Sequence, residues 1–277
     1  MATAPTLERL IRRDRAILIG GLTLICTLAW LWVISGAGMG MTALEMTRSG
    51  LFPHLNQPLR PMQMTAPLAT EGPAHFVLMA SMWWIMMIAM MLPSAAPAML
   101  LYARTMRHAQ RKGRMQQGPV SIAVFLSGYL TIWLIFSVIV TAVQMALVAS
   151  GLLSSMMLWS MAPWFSALIL FTAALYQLTP IKQACLQHCH SPAEWLSRNW
   201  RKGTLGAFQM GVIHGTYCVG CCWALMLLLF VGGVMNLIWI AALAMIVLIE
   251  KLGLFGLKSG RISAALLAFW AIATLLV

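Results

Sequence analysis

Charge is what this chain has least of. Of 277 residues only 6 are Asp or Glu, and residues of either charge make up 9%. A soluble domain normally carries roughly a quarter charged residues, so an ordinary soluble globular class is excluded. The long apolar stretches hold almost no carboxylate, which removes the oxygen ligands that Ca²⁺ and Mg²⁺ require. Glu250, beside Lys251 at the end of an apolar run, reads as half of an interfacial ion pair. No Ser/His/Asp triad, paired carboxylates, phosphate loop or nucleotide fingerprint occurs, and the phosphorylated Asp motif of ion-pumping ATPases is missing. A hydrolase or ATP-driven pump is therefore not expected. An internal repeat is also lacking: Pro93 and Pro97 interrupt the second apolar run, but no later pair matches them, as an inverted-repeat transporter would require.

What fills the chain instead is hydrocarbon. Hydrophobic residues make up 61%, gathered into runs near 16–35, 76–101, 120–149, 160–179, 207–230, 233–250 and 261–277. A bilayer-spanning helix needs about 20 apolar residues. The expectation is an all-α polytopic membrane protein of about seven transmembrane helices. Arg9, Arg12, Arg13 and Arg15 lead into a first run with no convincing cleavage site, so that run reads as a retained helix.

The net charge of +12 does not point to nucleic acid, because its distribution follows topology. With the N-terminus inside, 16 of the 18 Lys and Arg fall on one side, leaving Arg48 and Arg60 opposite. Basic residues are retained on the cytoplasmic face. The N-terminus is thus expected in the cytoplasm and the C-terminus in the periplasm, in a multi-pass protein of a bacterial inner membrane whose one certain partner is the lipid bilayer. One membrane domain covers residues 1–277. It comprises a cytoplasmic tail (1–15), a Met- and Pro-rich periplasmic loop (36–75) and a cytoplasmic Cys/His loop (180–206), with a further basic inner loop at 102–119.

Against this background "TYCVGCC" stands out. On a helical wheel of about 100° per residue, His214, Cys218, Cys221 and Cys222 fall within one arc of roughly 100°. Gly211 and Gly215 share that side in a G-x-x-x-G spacing, which lets another helix backbone come close. Lone cysteines in apolar helices are small fillers, and Cys26 is read so. Three thiols beside a histidine read as metal ligands.

The second run supplies a candidate facing surface. His75, Met79, Met82, Met86 and Met90 recur at steps of four, three, four and four, a stripe about 22 Å long at 1.5 Å per residue, flanked by Met87 and Met91. Methionine is also a common core filler, so packing and ligation both remain open. Met39, Met41, Met46, Met62 and Met64 add thioethers to the outer loop. A third group, Cys185, His188, Cys189 and His190 in "KQACLQHCH", falls in the inner loop, where Cu(I), Zn²⁺ or free exchangeable thiols all fit. Thiolate and thioether ligands together favour Cu(I). Zn²⁺ can use Cys and His but gains nothing from the methionines.

"MWWIMMIAMMLPSAAPAMLLYA", "YQLTPIKQACLQHCHSP" and "CVGCCWALMLLLFVGGVMNLIWIAALAMIVLIEKL" closely resemble the bacterial predicted metal-binding integral membrane proteins. That family is long catalogued as a domain of unknown function, with some members linked to copper supply for copper oxidases. The resemblance covers about residues 75–255. It implies a metal role for Met86, Met87, Met90, Met91, Cys185, Cys189, Cys218, Cys221 and Cys222. His188 fits the pattern, whereas His190 stands where a basic residue is more usual.

The expected function is handling of Cu(I) at the membrane without catalysis, for delivery to a periplasmic copper enzyme or copper chaperone. A quinone-linked thiol–disulfide oxidoreductase using Cys218 and Cys221 is an alternative. Deep burial disfavours the thiolate that exchange requires, no Lys or Arg in the same helix offsets it, and the outer loop has no cysteine. A non-catalytic subunit packed in a larger complex is the third.

Overall fold

The computed structural model describes residues 4–37, 42–51, 72–111, 119–154, 158–198, 200–253 and 258–276. Among them the chain is helical, with one isolated bridge between Leu153 and Ser160 and no strand. The helices are α1 (Ala4–Ile34), α2 (Ala43–Leu51), α3 (Pro73–Arg111), α4 (Pro119–Ala149), α5 (Pro163–Gln177) and α6 (Pro180–His190). They continue with α7 (Pro192–Arg198), α8 (Gly203–Leu227), α9 (Leu229–Gly232), α10 (Leu237–Leu252) and α11 (Lys258–Leu276). Met39, Met41, Met62, Met64 and Arg60 lie outside the described residues, as does most of the outer loop.

Proline sets where many of these helices begin. α3, α4, α5, α6 and α7 each start on a proline, a position where the missing N–H would have had no helical partner anyway. Side chains complete other starts. Thr179 Oγ1 accepts from the Lys182 N–H at the head of α6, and Asn236 Oδ1 from the Trp239 N–H at the head of α10. At α2, Thr42 and Glu45 form a reciprocal capping box. The Thr42 backbone and side-chain bonds hold the Glu45 carboxyl below its ordinary range.

Among the described residues, five helical segments are long and apolar enough to cross a bilayer: Ala16–Ile34, Pro73–Arg107, Ile122–Ala149, Gly203–Gly232 and Ser259–Leu276. The expected seven are thus not all found as independent spans. The run at 160–179 gives α5, only 15 residues long. It then bends by 64° into α6 at Leu178–Thr179, and the two together make a possible sixth span. The run at 233–250 gives α10, 16 residues long, which ends at Gly253 in the left-handed conformation (φ +67°) that glycine adopts without strain.

Two further expectations change. Pro93 and Pro97 do not break the second run, since both lie inside the continuous α3. Proline 93 leaves the Ala89 carbonyl without its helical donor, and the Cys26 thiol of α1 lies 3.8 Å from that oxygen. The segment 180–206, read as an inner loop, folds into α6, α7 and the first residues of α8.

α3 and α8 are the buried helices, while α1 and α11 present most of their surface outward. Leu24, Leu28, Leu31, Phe269, Ile272 and Leu276 stand exposed on those outer helices, as a hydrocarbon surrounding permits. α8 packs along α4, and glycine makes the crossing close. A Cβ on Gly211 would run into the Phe125 carbonyl, one on Gly128 into the Phe208 carbonyl, and one on Gly215 would meet Ile132 Cβ at 3.0 Å. The G-x-x-x-G face thus meets α4.

Candidate metal centre

Burial sorts the sequence-derived candidates first. Met79, Met82, Met86, Met87, Met90 and Met91 all lie in the core, each 3% exposed or less, so the whole sulfur-rich side of α3 points inward. His75 begins that side, half-buried, with its Nδ1 atom buried and without a hydrogen-bond partner. Cys218, Cys221, Cys222 and His214 are buried on α8.

α3 and α8 meet through side chains. Cys222 Sγ lies 3.8 Å from Met91 Sδ, so Met91, which flanks the helical stripe, brings a thioether within reach of the thiols. Tyr129 of α4 joins the two helices from one side, its hydroxyl 3.4 Å from the Met91 carbonyl and 3.2 Å from Cys218 Sγ. Lys251 of α10 joins them from another. Its Nζ stands 2.8 Å from Cys218 Sγ, 3.1 Å from Ser94 Oγ and 4.0 Å from Met91 Sδ.

The second cysteine group turns out to be a neighbour of the first. α6 runs back along α8, and the Cys189 thiol lies beside that of Cys221. One turn earlier, Cys185 lies over Gly220, where a Cβ would come within 2.9 Å of its sulfur. A larger residue there would make the Cys185 sulfur shift. The Tyr176 hydroxyl fastens the same spot by donating to the Gly220 carbonyl. Three buried thiols of α8, one buried thioether of α3 and two half-buried thiols of α6 therefore lie in neighbouring positions.

The histidines divide differently. His188 is held by its own helix and by α8: its Nδ1 lies 2.8 Å from the Ala184 carbonyl, and its ring stacks on Tyr217 at 3.9 Å between centroids. His190 places Nε2 2.6 Å from the Glu250 carbonyl. His214 sits among the rings of Phe125, Tyr129 and Trp195, with centroids 5.9–6.1 Å away. A cavity of about 140 Å³ opens beside it, lined by Ser94, Cys189, His190, His214 and Lys251.

As the side chains stand, no three His, Cys, Asp or Glu among the described residues are grouped to hold a metal ion. The geometry gives the reason. Cys221 and Cys222 both donate to the Cys218 carbonyl, at 3.1 and 3.0 Å, so their thiols fold back along α8 rather than converge.

Lys251 and Glu250 correct the ion pair expected between sequence neighbours. Glu250 instead accepts from Lys182 Nζ at 2.6 Å, Gln177 at 3.1 Å and Ser263 at 3.1 Å. All three charged groups are buried. Lys251 thus supplies, from another helix, the positive charge that α8 itself lacks. Lys251, Tyr129 and Ser94 were not among the sequence-derived candidates. A charged residue at the edge of an apolar run is a pointer to a functional site, but at the end of α10 it also suits topology.

No curated protein and no solved structure matches the chain. A family model described as PpoB2, a copper chaperone, matches residues 80–274, a span that takes in α3 from its second turn, all of α4 to α10 and nearly all of α11. The chain belongs to this copper chaperone family.

Proposed function

We propose that this protein is a multi-pass carrier of the bacterial inner membrane. It takes Cu(I) as cargo on the sulfur atoms gathered between α3, α6 and α8 and passes it to a copper enzyme or chaperone. The observation that carries this reading is the meeting of Met91, Cys222, Cys218, Cys221 and Cys189 in one water-poor region. Family membership supports copper, and the donor chemistry supports the cuprous state, because thioethers and thiolates are soft ligands.

The bonds from Cys221 and Cys222 to the Cys218 carbonyl are weak thiol donations, and rotation about χ1 would turn either sulfur toward Met91 or Cys189. Met79, Met82, Met86, Met87 and Met90 extend thioethers from His75 down to this region, and serve as transient ligands between the outer mouth and the thiols. Cys185 and Cys189 adjoin the same region from α6 and act as its inner ligands. His214 and His190 line the adjoining cavity. His188, stacked on Tyr217, is left a structural part. Transfer between sulfur ligands needs no change of oxidation state and no catalysis. The N-terminus is placed in the cytoplasm by the basic residues.

The test is Cu(I) and Ag(I) stoichiometry on protein purified in detergent. Wild type is expected to retain copper, and the variant carrying Cys218→Ala, Cys221→Ala and Cys222→Ala to lose it. Equally low binding by both would defeat the proposal.

The neighbouring thiols of Cys189 and Cys221 favour one second reading, a thiol–disulfide exchanger. Alkylation trapping in cells decides it: a Cys189–Cys221 disulfide that forms and is reduced again supports exchange, and thiols that stay reduced remove it.

A further inference from the structure

The position of the Lys251 ammonium is unusual for a buried lysine. A buried cation needs a counter-charge, and the neighbouring carboxylate of Glu250 is engaged by Lys182, Gln177 and Ser263. The groups around Lys251 Nζ are Cys218 Sγ at 2.8 Å, Ser94 Oγ at 3.1 Å and Met91 Sδ at 4.0 Å. Those two sulfurs are the ones a soft metal ion at this site would use, so the ammonium stands where the cargo belongs.

We propose that Lys251 is a place-holding cation, filling the position between Cys218 and Met91 until a soft monovalent ion displaces it into the adjoining cavity. This rests on the copper reading above and adds to it a rule of selection. The lysine's way out is present: the cavity of about 140 Å³ adjoins Lys251 and runs past Ser94, Cys189 and His214 to His190 and Leu252, which are exposed. The four-carbon stem of lysine is flexible enough to make such a swing. The hydrogen bonds of Lys251 to Cys218 and Ser94 give way to bonds to the metal, any proton on the Cys218 thiol leaves to solvent, no other bond forms or breaks, and no electron moves.

Charge balance then distinguishes cargoes. An incoming Cu(I) or Ag(I) replaces one positive charge by one positive charge, leaving the buried site as neutral as before. A divalent ion adds a second charge, which a further thiol such as Cys221 or Cys222 must lose its proton to offset, and uncompensated charge in a low-dielectric interior is strongly disfavoured. Lys251 thereby biases a set of ligands that would otherwise accept Zn²⁺ toward a monovalent ion. It also weakens the hold on Cu(I), which favours release to a recipient.

The test combines labelling with competition. Detergent-solubilised wild type is treated with an amine-acylating reagent in chloride-free buffer, alone, with Ag(I) or with Zn²⁺, and Lys251 modification is read by peptide mass spectrometry. Ag(I) is expected to raise modification of Lys251 several-fold while Zn²⁺ leaves it unchanged. In competition with a chromophoric Cu(I) chelator, Lys251→Met should bind Cu(I) about tenfold more tightly, equivalent to about 1.4 kcal/mol, and should begin to retain Zn²⁺. If wild type binds Ag(I) with Lys251 as protected as before, or if folded Lys251→Met binds Cu(I) no more tightly, the place-holder is overturned while the copper reading stands. If wild type binds neither Ag(I) nor Cu(I), both fall together. Should Lys251→Met fail to fold, the labelling of wild type decides alone.

Discussion

Met91 is surrounded closely enough that its chemistry can be separated from its bulk. Leucine has nearly the same volume, and swaps of this kind in cores cost less than about 1.5 kcal/mol. Met91→Leu should therefore leave the thermal stability nearly unchanged while weakening Cu(I) binding by about tenfold, or roughly 1.4 kcal/mol, because the thioether beside Cys222 is lost. Met79→Leu, farther along α3 toward His75, should change equilibrium affinity less, since Met79 has no part in the thiol contacts. Chelator competition on the two purified variants separates them. Equal losses from both would mean that affinity is spread along the whole methionine side of α3.

Individual elements carry the stability predictions. The α4–α8 crossing depends on glycines whose place a methyl group cannot share, so Gly211→Ala must push the helices apart against the Phe125 carbonyl. Overpacking of this kind costs about 1–3 kcal/mol, to be read as a lowered melting temperature in detergent. The buried Lys182–Glu250 pair ties α6 to α10, and Gln177 and Ser263 bring in α5 and α11. Removing one partner of such a pair leaves the other charge uncompensated, which costs about 3–5 kcal/mol. Glu250→Gln should accordingly destabilise more than Gly211→Ala does. Replacing both partners together, by Lys182→Met with Glu250→Leu, should recover most of the loss.

Much at this scale was legible in the sequence. The helical period placed the six methionines on a buried side of α3, and the G-x-x-x-G spacing announced a close crossing. What could not be read was which elements meet. No local pattern says that α6 folds back after a 64° bend to lay Cys189 against Cys221, because that depends on Gly220 fitting against Cys185. Wheel geometry put Met86 and Met90 at the centre of the stripe, yet Met91 reaches the thiols because α4 and α10, through Tyr129 and Lys251, set how α3 and α8 face each other.

For the whole molecule, the same features explain why a chain so poor in charge keeps a few charges inside. Exposed leucines and isoleucines on the outer helices suit hydrocarbon, while in the interior Glu250 pairs with Lys182 and Lys251 lies against Cys218. The sulfur-rich region lies between helices that share these charges, so ligand geometry and helix packing are tied together. The central claim is that sulfur atoms of α3, α6 and α8 hold Cu(I). X-ray absorption at the copper edge, on detergent-purified protein loaded with Cu(I), tests it most directly. The account predicts a cuprous edge with a sulfur-only first shell, lost when Cys218, Cys221 and Cys222 are changed to Ala. A first shell of nitrogen or oxygen, or one unchanged in the triple variant, would contradict it.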